Sequence, residues 1–148
     1  MDLLINCTYY YGFSYWIART LADTPSNSNT ELGFWTLMWL LCEAGNYSCH
    51  KGLARCKYEG PQGQYKVPRS WDDLPLTKLF DYVSCPHYFC EVGSWLCYAM
   101  LTDNTAAKVF GTVGFFVLAS WARSKHQSYK EKFIGYPPER RAMIPFIF

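Results

Sequence analysis

Four apolar segments, Leu3–Leu21, Leu32–Cys49, Leu79–Leu101 and Ala106–Ala122, punctuate this chain of 148 residues, and the positive charges are sorted between them. Each segment is about as long as a helix needs to cross a bilayer, roughly 20 residues. Hydropathy alone leaves them borderline, because each is interrupted or flanked closely by charge; the cleanest run is Leu3–Ala18, and Glu91 breaks the third segment. Charge placement is more decisive. Lys51, Arg55, Lys57, Lys66, Arg69 and Lys78 lie between segments two and three, and Arg123, Lys125, Lys130, Lys132, Arg140 and Arg141 follow segment four. If all four segments span, twelve of the 14 positive charges fall on one face, which the positive-inside rule puts in the cytosol. A soluble four-helix protein has no reason to sort its charges this way. The other connections, about Ala22–Glu31 and Thr102–Thr105, are short and polar, as turns on the far side should be. The pattern predicts an all-α, multi-pass transmembrane bundle of about four spans over residues 1–122. A cytosolic loop is expected at about 50–78 and a basic cytosolic tail over 123–148.

Composition narrows the function. Fourteen Lys and Arg against 12 Asp and Glu leave a formal charge of +2, too small an excess for a dedicated nucleic-acid binder. Half the residues are hydrophobic, which excludes disorder. Aromatics make up 19%, a density suited to surfaces that face lipid or line an apolar ligand. Mean hydropathy is only −0.12, because two basic stretches are averaged with the four segments.

Seven cysteines stand at 7, 42, 49, 56, 85, 90 and 97; none forms C-x-x-C and no histidine pair has zinc spacing, so no metal site is expected. Cys42, Cys49 and Cys56 recur every seven residues and read as small apolar side chains on one helix face. No signal peptide is evident. The sequons at Asn6 and Asn46 sit in or beside apolar segments and read as chance matches. Gly60-Pro61 and Gly63 are turn signals in the central loop. Pro137-Pro138 stops any helix in the tail, and the apolar end Met143–Phe148 is expected to dock on the protein or the membrane.

The chemistry-bearing residues gather at the cytosolic ends of the apolar segments. Glu91 lies inside segment three, where a carboxylate is expensive unless paired, and such a residue marks a functional site by default. His87 and Tyr88 precede it by four and three residues and share its helix face. Gly45-Asn46 taken alone reads as a helix C-cap. No dinucleotide-binding G-x-G-x-x-G, Walker A, G-x-S-x-G or H-E-x-x-H pattern occurs.

The stretch Ser84-Cys85-Pro86-His87-Tyr88-Phe89-Cys90-Glu91-Val92-Gly93-Ser94-Trp95 resembles the C-terminal domain of the steroid 5α-reductase family, most nearly the trans-2-enoyl-CoA reductase branch with its S-C-P-N-Y-x-x-E-x-x-x-W pattern. Trp121 to Phe133 and Tyr136 to Phe146 continue the resemblance, and Gly45-Asn46-Tyr47-Ser48-Cys49-His50 is similar to the branch's G-N-[FY]-S-x-H. The resemblance implies a multi-pass protein of the endoplasmic reticulum membrane that uses NADPH to reduce a carbon–carbon double bond conjugated to a carbonyl. In the enoyl-CoA branch this is the last step of each very-long-chain fatty-acid elongation cycle, with acyl-CoA as substrate, membrane lipid around it and other elongation enzymes as partners. Carried over by position, Asn46, Lys57, Glu91, Tyr129 and Arg140 match cofactor-binding positions, and Tyr88 matches the tyrosine near the reacting carbonyl.

Two departures bear on that implication. His87 stands where the family has Asn, and Lys57 where it has Arg, keeping the charge but losing the bidentate fork. The resemblance also covers only the C-terminal half of such enzymes. The alternatives it leaves open are reduction of a steroid or polyprenol, and a truncated, inactive membrane paralogue.

Overall fold

A computed structural model describes residues 3–24, 27–58 and 66–148. Four helices run α1 (Leu3–Leu21), α2 (Asn29–Tyr58), α3 (Pro86–Thr102) and α4 (Thr105–Lys132), with a 3₁₀ helix, Pro75–Asp81, before α3. No named strand occurs among the described residues. The Gly60-Pro61 and Gly63 turn signals lie outside them.

The helix ends are written locally. Ser28 and Glu31 form a reciprocal capping box at the start of α2: the Ser28 N–H donates to Glu31 Oε2 (3.0 Å) and the Glu31 N–H to Ser28 Oγ (3.3 Å). Pro86 opens α3 at a position where a missing N–H costs nothing. Asp103 ends α3 in the left-handed region (φ 44°), and Asn104 caps α4 by accepting from the N–H groups of Ala106 (2.9 Å) and Ala107 (3.2 Å). This two-residue connection forces α3 and α4 into an antiparallel hairpin. Asn104, fully buried, also donates to Thr20 Oγ1 (2.9 Å), and Asn27 donates to the carbonyls of Met100 (2.8 Å) and Leu101 (3.0 Å). One end of the bundle is therefore tied by three asparagine- or serine-based caps.

Small residues bring α2 against α3. A Cβ on Gly45 would meet Cys90 Sγ at 2.8 Å, and one on Gly93 would meet Cys42 Sγ at 2.7 Å. Each glycine receives the other helix's cysteine, which fixes an antiparallel register. Cys49 and Cys56 are buried on the same side of α2, so the seven-residue spacing does mark one packed face. On the other side of α3, Trp95 packs on Gly114 of α4, and α1 crosses that pair through Ile17, Ala99, Ala106 and Ala107. The order in space is thus α2, α3, α4, with α1 over the α3–α4 seam.

The helices run past the apolar segments. α2 continues to Tyr58, about 45 Å at 1.5 Å per residue, and α4 continues to Lys132. The first part of the expected tail, Arg123 to Lys132, is the last part of α4. Segment three begins as the 3₁₀ helix and a turn, and becomes α-helix only at Pro86. Among the described residues, α4 is the one helix long and apolar enough by itself to cross a membrane.

After α4 the chain folds back. The Arg141 N–H donates to Tyr82 O (2.9 Å), Ser84 N–H to Arg141 O (2.8 Å) and Cys85 N–H to Ala142 O (3.0 Å). The chain end closes on itself, with the N–H groups of Met143 (2.7 Å) and Ile144 (2.6 Å) donating to Phe148 O. Ala142 and Met143 join Cys85, Leu118 and Ala122 in one core, so the apolar end docks on the protein, while Phe146 and Ile147 stay exposed.

Candidate active site

The first turns of α3 carry the site. Pro86 starts the helix, so Tyr88 and Glu91, three residues apart, project from one face. They line a cavity of about 270 Å³ between α1, α3 and α4, together with Tyr10, Trp95, Val117 and Trp121. Its walls are apolar apart from these hydroxyls and the carboxylate. Lys125 of α4 lies over the Tyr88 ring, its Nζ 5.2 Å from the centroid, and Trp121 packs beside it (6.3 Å). Glu91 accepts no hydrogen bond from the described residues, so a half-buried carboxylate stands ready for external donors.

His87 sits behind Tyr88, ring to ring at 4.2 Å, and meets His50 of α2 edge-on at 5.1 Å. It is 1% exposed, and its Nδ1 has no partner among the described residues. Asn46 corrects the C-cap reading: it lies within α2, which runs on for twelve more residues, and its Nδ2 donates to the His87 carbonyl (3.1 Å). That bond leaves the Asn46 Oδ1 as an acceptor.

A second group stands on the folded-back tail. Arg140 is 7% exposed, yet its only hydrogen bond among the described residues is to the Pro68 carbonyl (2.7 Å), and its Nε has no partner. Its guanidinium lies 5.3 Å from the Tyr136 ring centroid. Tyr136 also packs against Tyr129 (6.1 Å) and shares a buried hydroxyl contact with Ser84 (2.6 Å), which reaches His126 Nδ1 (2.5 Å). Ser84 directly precedes the Cys85-Pro86-His87-Tyr88 turn, so one short segment carries both groups. A buried cation facing only neutral acceptors is unfavourable until an anion arrives. Arg140 thus offers a fork of donors on the tail, while the Asn46 Oδ1 and Glu91 offer acceptors on α2 and α3.

The model for the family described as 3-oxo-5-alpha-steroid 4-dehydrogenase matches residues 3–148. The chain belongs to this family. A probable very-long-chain enoyl-CoA reductase of Caenorhabditis elegans is 35% identical over 99% of this chain and 48% of its own length. A human protein described as trans-2,3-enoyl-CoA reductase-like is 33% identical over 99% of this chain and 40% of its own length. A bovine 3-oxo-5-alpha-steroid 4-dehydrogenase 1 is 34% identical over 74% of this chain and 40% of its own length. The chain spans about half the length, or less, of these relatives. Those names describe oxidoreductases acting on CH–CH groups.

Against this family background the structure sorts the six sequence-derived residues. Tyr88 and Glu91 share one cavity, and Asn46 holds the backbone that bears Tyr88. Tyr129 and Arg140 meet through Tyr136. Lys57 stands apart, exposed on the last turn of α2, and no contact joins it to the others among the described residues. Sequence reading gave no role to Ser84, Tyr136 or Trp121. Ser84 and Trp121 were legible only as parts of the family motifs, and the Tyr136 hub depends on the tail folding back.

Proposed function

We propose that this chain belongs to an enzyme that reduces the 2,3 double bond of trans-2-enoyl-CoA with NADPH, in very-long-chain fatty-acid elongation. The observation that carries the reading is the cavity, in which the Tyr88 hydroxyl and the Glu91 carboxylate stand one helical turn apart, with Tyr9, Tyr10 and apolar side chains around them. The enoyl-CoA reductase relatives, which align over nearly the whole chain against 74% for the bovine steroid enzyme, favour a thioester over a steroid.

NADPH, when bound, would supply a hydride to the β-carbon of the enoyl thioester and leave as NADP+. As negative charge gathers on the carbonyl oxygen, the Tyr88 hydroxyl would donate a hydrogen bond to it, and the α-carbon would take a proton from solvent to complete the saturated product. Lys125, beside the Tyr88 ring, adds positive potential where the charge develops. Glu91 and the Asn46 Oδ1 would accept from the amide or ribose hydroxyls of the cofactor, Arg140 would pair with a phosphate, and Tyr129, which packs with Tyr136 beside Arg140, would line the phosphate end. Lys57, at the exposed end of α2 and apart from the other five, would add a second positive charge for the phosphates.

The same reading gives the protein four membrane spans in the endoplasmic reticulum, residues 1–122, with the loop at about 50–78 and the tail from 123 to 148 in the cytosol. The twelve sorted charges and the exposed apolar faces of α1 and α2, including Leu4, Tyr15, Phe34 and Leu37, support it. Acyl-CoA, membrane lipid and other elongation enzymes are the partners it implies.

The test is NADPH oxidation by membranes containing the protein on addition of a trans-2-enoyl-CoA. Activity is expected, and Tyr88→Phe should lower kcat by about 10²–10³, the usual worth of one such donor. NADPH oxidation with a steroid enone but not with enoyl-CoA would move the assignment to the steroid branch of the family.

A further inference from the structure

Ser84, His126 and Tyr136 meet where three parts of the chain join: the turn before α3, the last part of α4 and the folded-back tail. Ser84 Oγ lies 2.5 Å from His126 Nδ1 and 2.6 Å from the Tyr136 hydroxyl. Both hydroxyl-bearing residues are buried, and neither hydroxyl has another partner among the described residues. The charged groups facing His126 are Lys130 on its own helix and Arg141 on the tail. Burial first, and these two cations second, hold the imidazole below the ordinary histidine range. It is therefore neutral at physiological pH.

Counting protons gives the network a direction. Its two contacts take two protons. With the imidazole proton on Nε2, Tyr136 donates to Ser84, Ser84 donates to His126 Nδ1, and nothing is left over. A proton on Nδ1 makes three for the same two contacts. One buried hydroxyl proton, of Ser84 or Tyr136, then has no acceptor, and such a group shifts an equilibrium by about 5- to 150-fold. The network is complete only while His126 is neutral.

Tyr136 carries that state to Arg140. The guanidinium lies over the Tyr136 ring, 5.3 Å from its centroid, and its one hydrogen bond among the described residues is to the Pro68 carbonyl (2.7 Å). The anchored hydroxyl fixes the ring on which the arginine rests.

We propose that the Ser84–His126–Tyr136 network positions Arg140 for a cofactor phosphate, and that a proton on His126 releases it. The proposal rests on the reading of Arg140 as a phosphate ligand. The three are positioning residues, acting through the arginine. Cofactor affinity should therefore fall in acid, the opposite of what one more positive charge near an anion would do.

Full-length protein in detergent would be titrated with NADP+, which unlike NADPH is stable in acid, at about pH 7.5 and about pH 5, on either side of the ordinary histidine value. Wild type, His126→Asn and Tyr136→Phe would be compared. Asparagine keeps an amide oxygen near the place of Nδ1 and takes up no proton in this range, and the phosphate ionisation of the cofactor is common to both proteins. The ratio of the wild-type Kd to the His126→Asn Kd should rise about threefold or more on acidification. Tyr136→Phe keeps the ring under Arg140 but removes its anchor, so it should bind about threefold or more weakly than wild type at the higher pH. That variant reports even if His126→Asn does not fold. A flat or falling ratio, or wild-type affinity in Tyr136→Phe, would overturn the proposal. If Arg140→Met binds NADP+ as tightly as wild type, the reading of Arg140 as a phosphate ligand fails instead, and this proposal with it.

Discussion

Replacing Arg140 with Met separates a cofactor arginine from a structural one. Arg140 is 7% exposed, and among the described residues its guanidinium makes one hydrogen bond, to the Pro68 carbonyl at 2.7 Å, while its Nε has no partner. Without an anion the charge is therefore poorly compensated. Methionine keeps the length and apolar stem, removes an underpaired buried charge and gives up one bond to a backbone carbonyl. A bond from a charged group is worth about 1.5–3 kcal/mol, and loss of the desolvation cost offsets it, so stability without cofactor should change by less than about 1 kcal/mol. NADPH binding is different. A charge-assisted phosphate bond of about 1.5–3 kcal/mol lost from the complex raises Kd by about 10- to 150-fold. Titrating NADPH against detergent-solubilised wild type and Arg140→Met, with thermal unfolding in parallel, reads both quantities. A Kd unchanged within about twofold, or a large loss of stability with no loss of affinity, would refute the argument that Arg140 is held for an anion.

Three further outcomes follow from the packing. Gly93→Ala places a Cβ against Cys42 Sγ and should cost about 1–3 kcal/mol in thermal unfolding, and adding Cys42→Ala should recover much of it because the clashing atom is then gone. Asn104→Ala removes the α4 cap and the bond to Thr20 together and should cost about 1–3 kcal/mol, whereas a surface substitution at Lys66 should cost almost nothing. The bidentate Arg55–Asp73 pair (2.7 Å for each bond) holds the Asp73 carboxyl below the usual aspartate range, first through its hydrogen bonds with Arg55. A carboxyl held low stabilises the folded loop above its ordinary value and loses that effect as pH falls. Protection factors over residues 66–74, taken relative to the intrinsic exchange rate at each pH, should therefore fall below about pH 4, and in Arg55→Ala that pH dependence should be weaker.

Much of the helical plan was legible because it rests on short-range rules. The four apolar segments and the short polar connections at about 22–31 and 102–105 mark where helices run and where the chain turns. The ends of α2 and α4 were not legible. Lys51 to Tyr58 and Arg123 to Lys132 carry charge that reads as loop or tail, yet a helix once formed continues through charged residues that its solvent-exposed side can hold. Gly45-Asn46 resembled a C-cap for the same reason: the glycine is there for the approach of Cys90, a fact carried by a helix 45 residues away.

The site divides along the same line. Tyr88 and Glu91 are neighbours on one helix, so their convergence was visible in the spacing. Arg140 and Tyr129 come together only because the tail returns to pair with Tyr82 to Cys85, and no local pattern encodes that return. The Ser84–Tyr136 contact and the Trp95–Gly114 seat are likewise products of tertiary packing, each joining residues with unremarkable surroundings in the sequence.

Isotope transfer follows the hydride itself. NADPH carrying deuterium in the transferable position at C4 of the nicotinamide would be incubated with the full-length protein and a trans-2-enoyl-CoA, and the saturated acyl-CoA analysed by mass spectrometry. One deuterium at the β-carbon is the expected result, in product that Tyr88→Phe forms about 10²–10³ times more slowly. Saturated product without β-deuterium, or no product from a preparation that binds NADPH, would contradict the account.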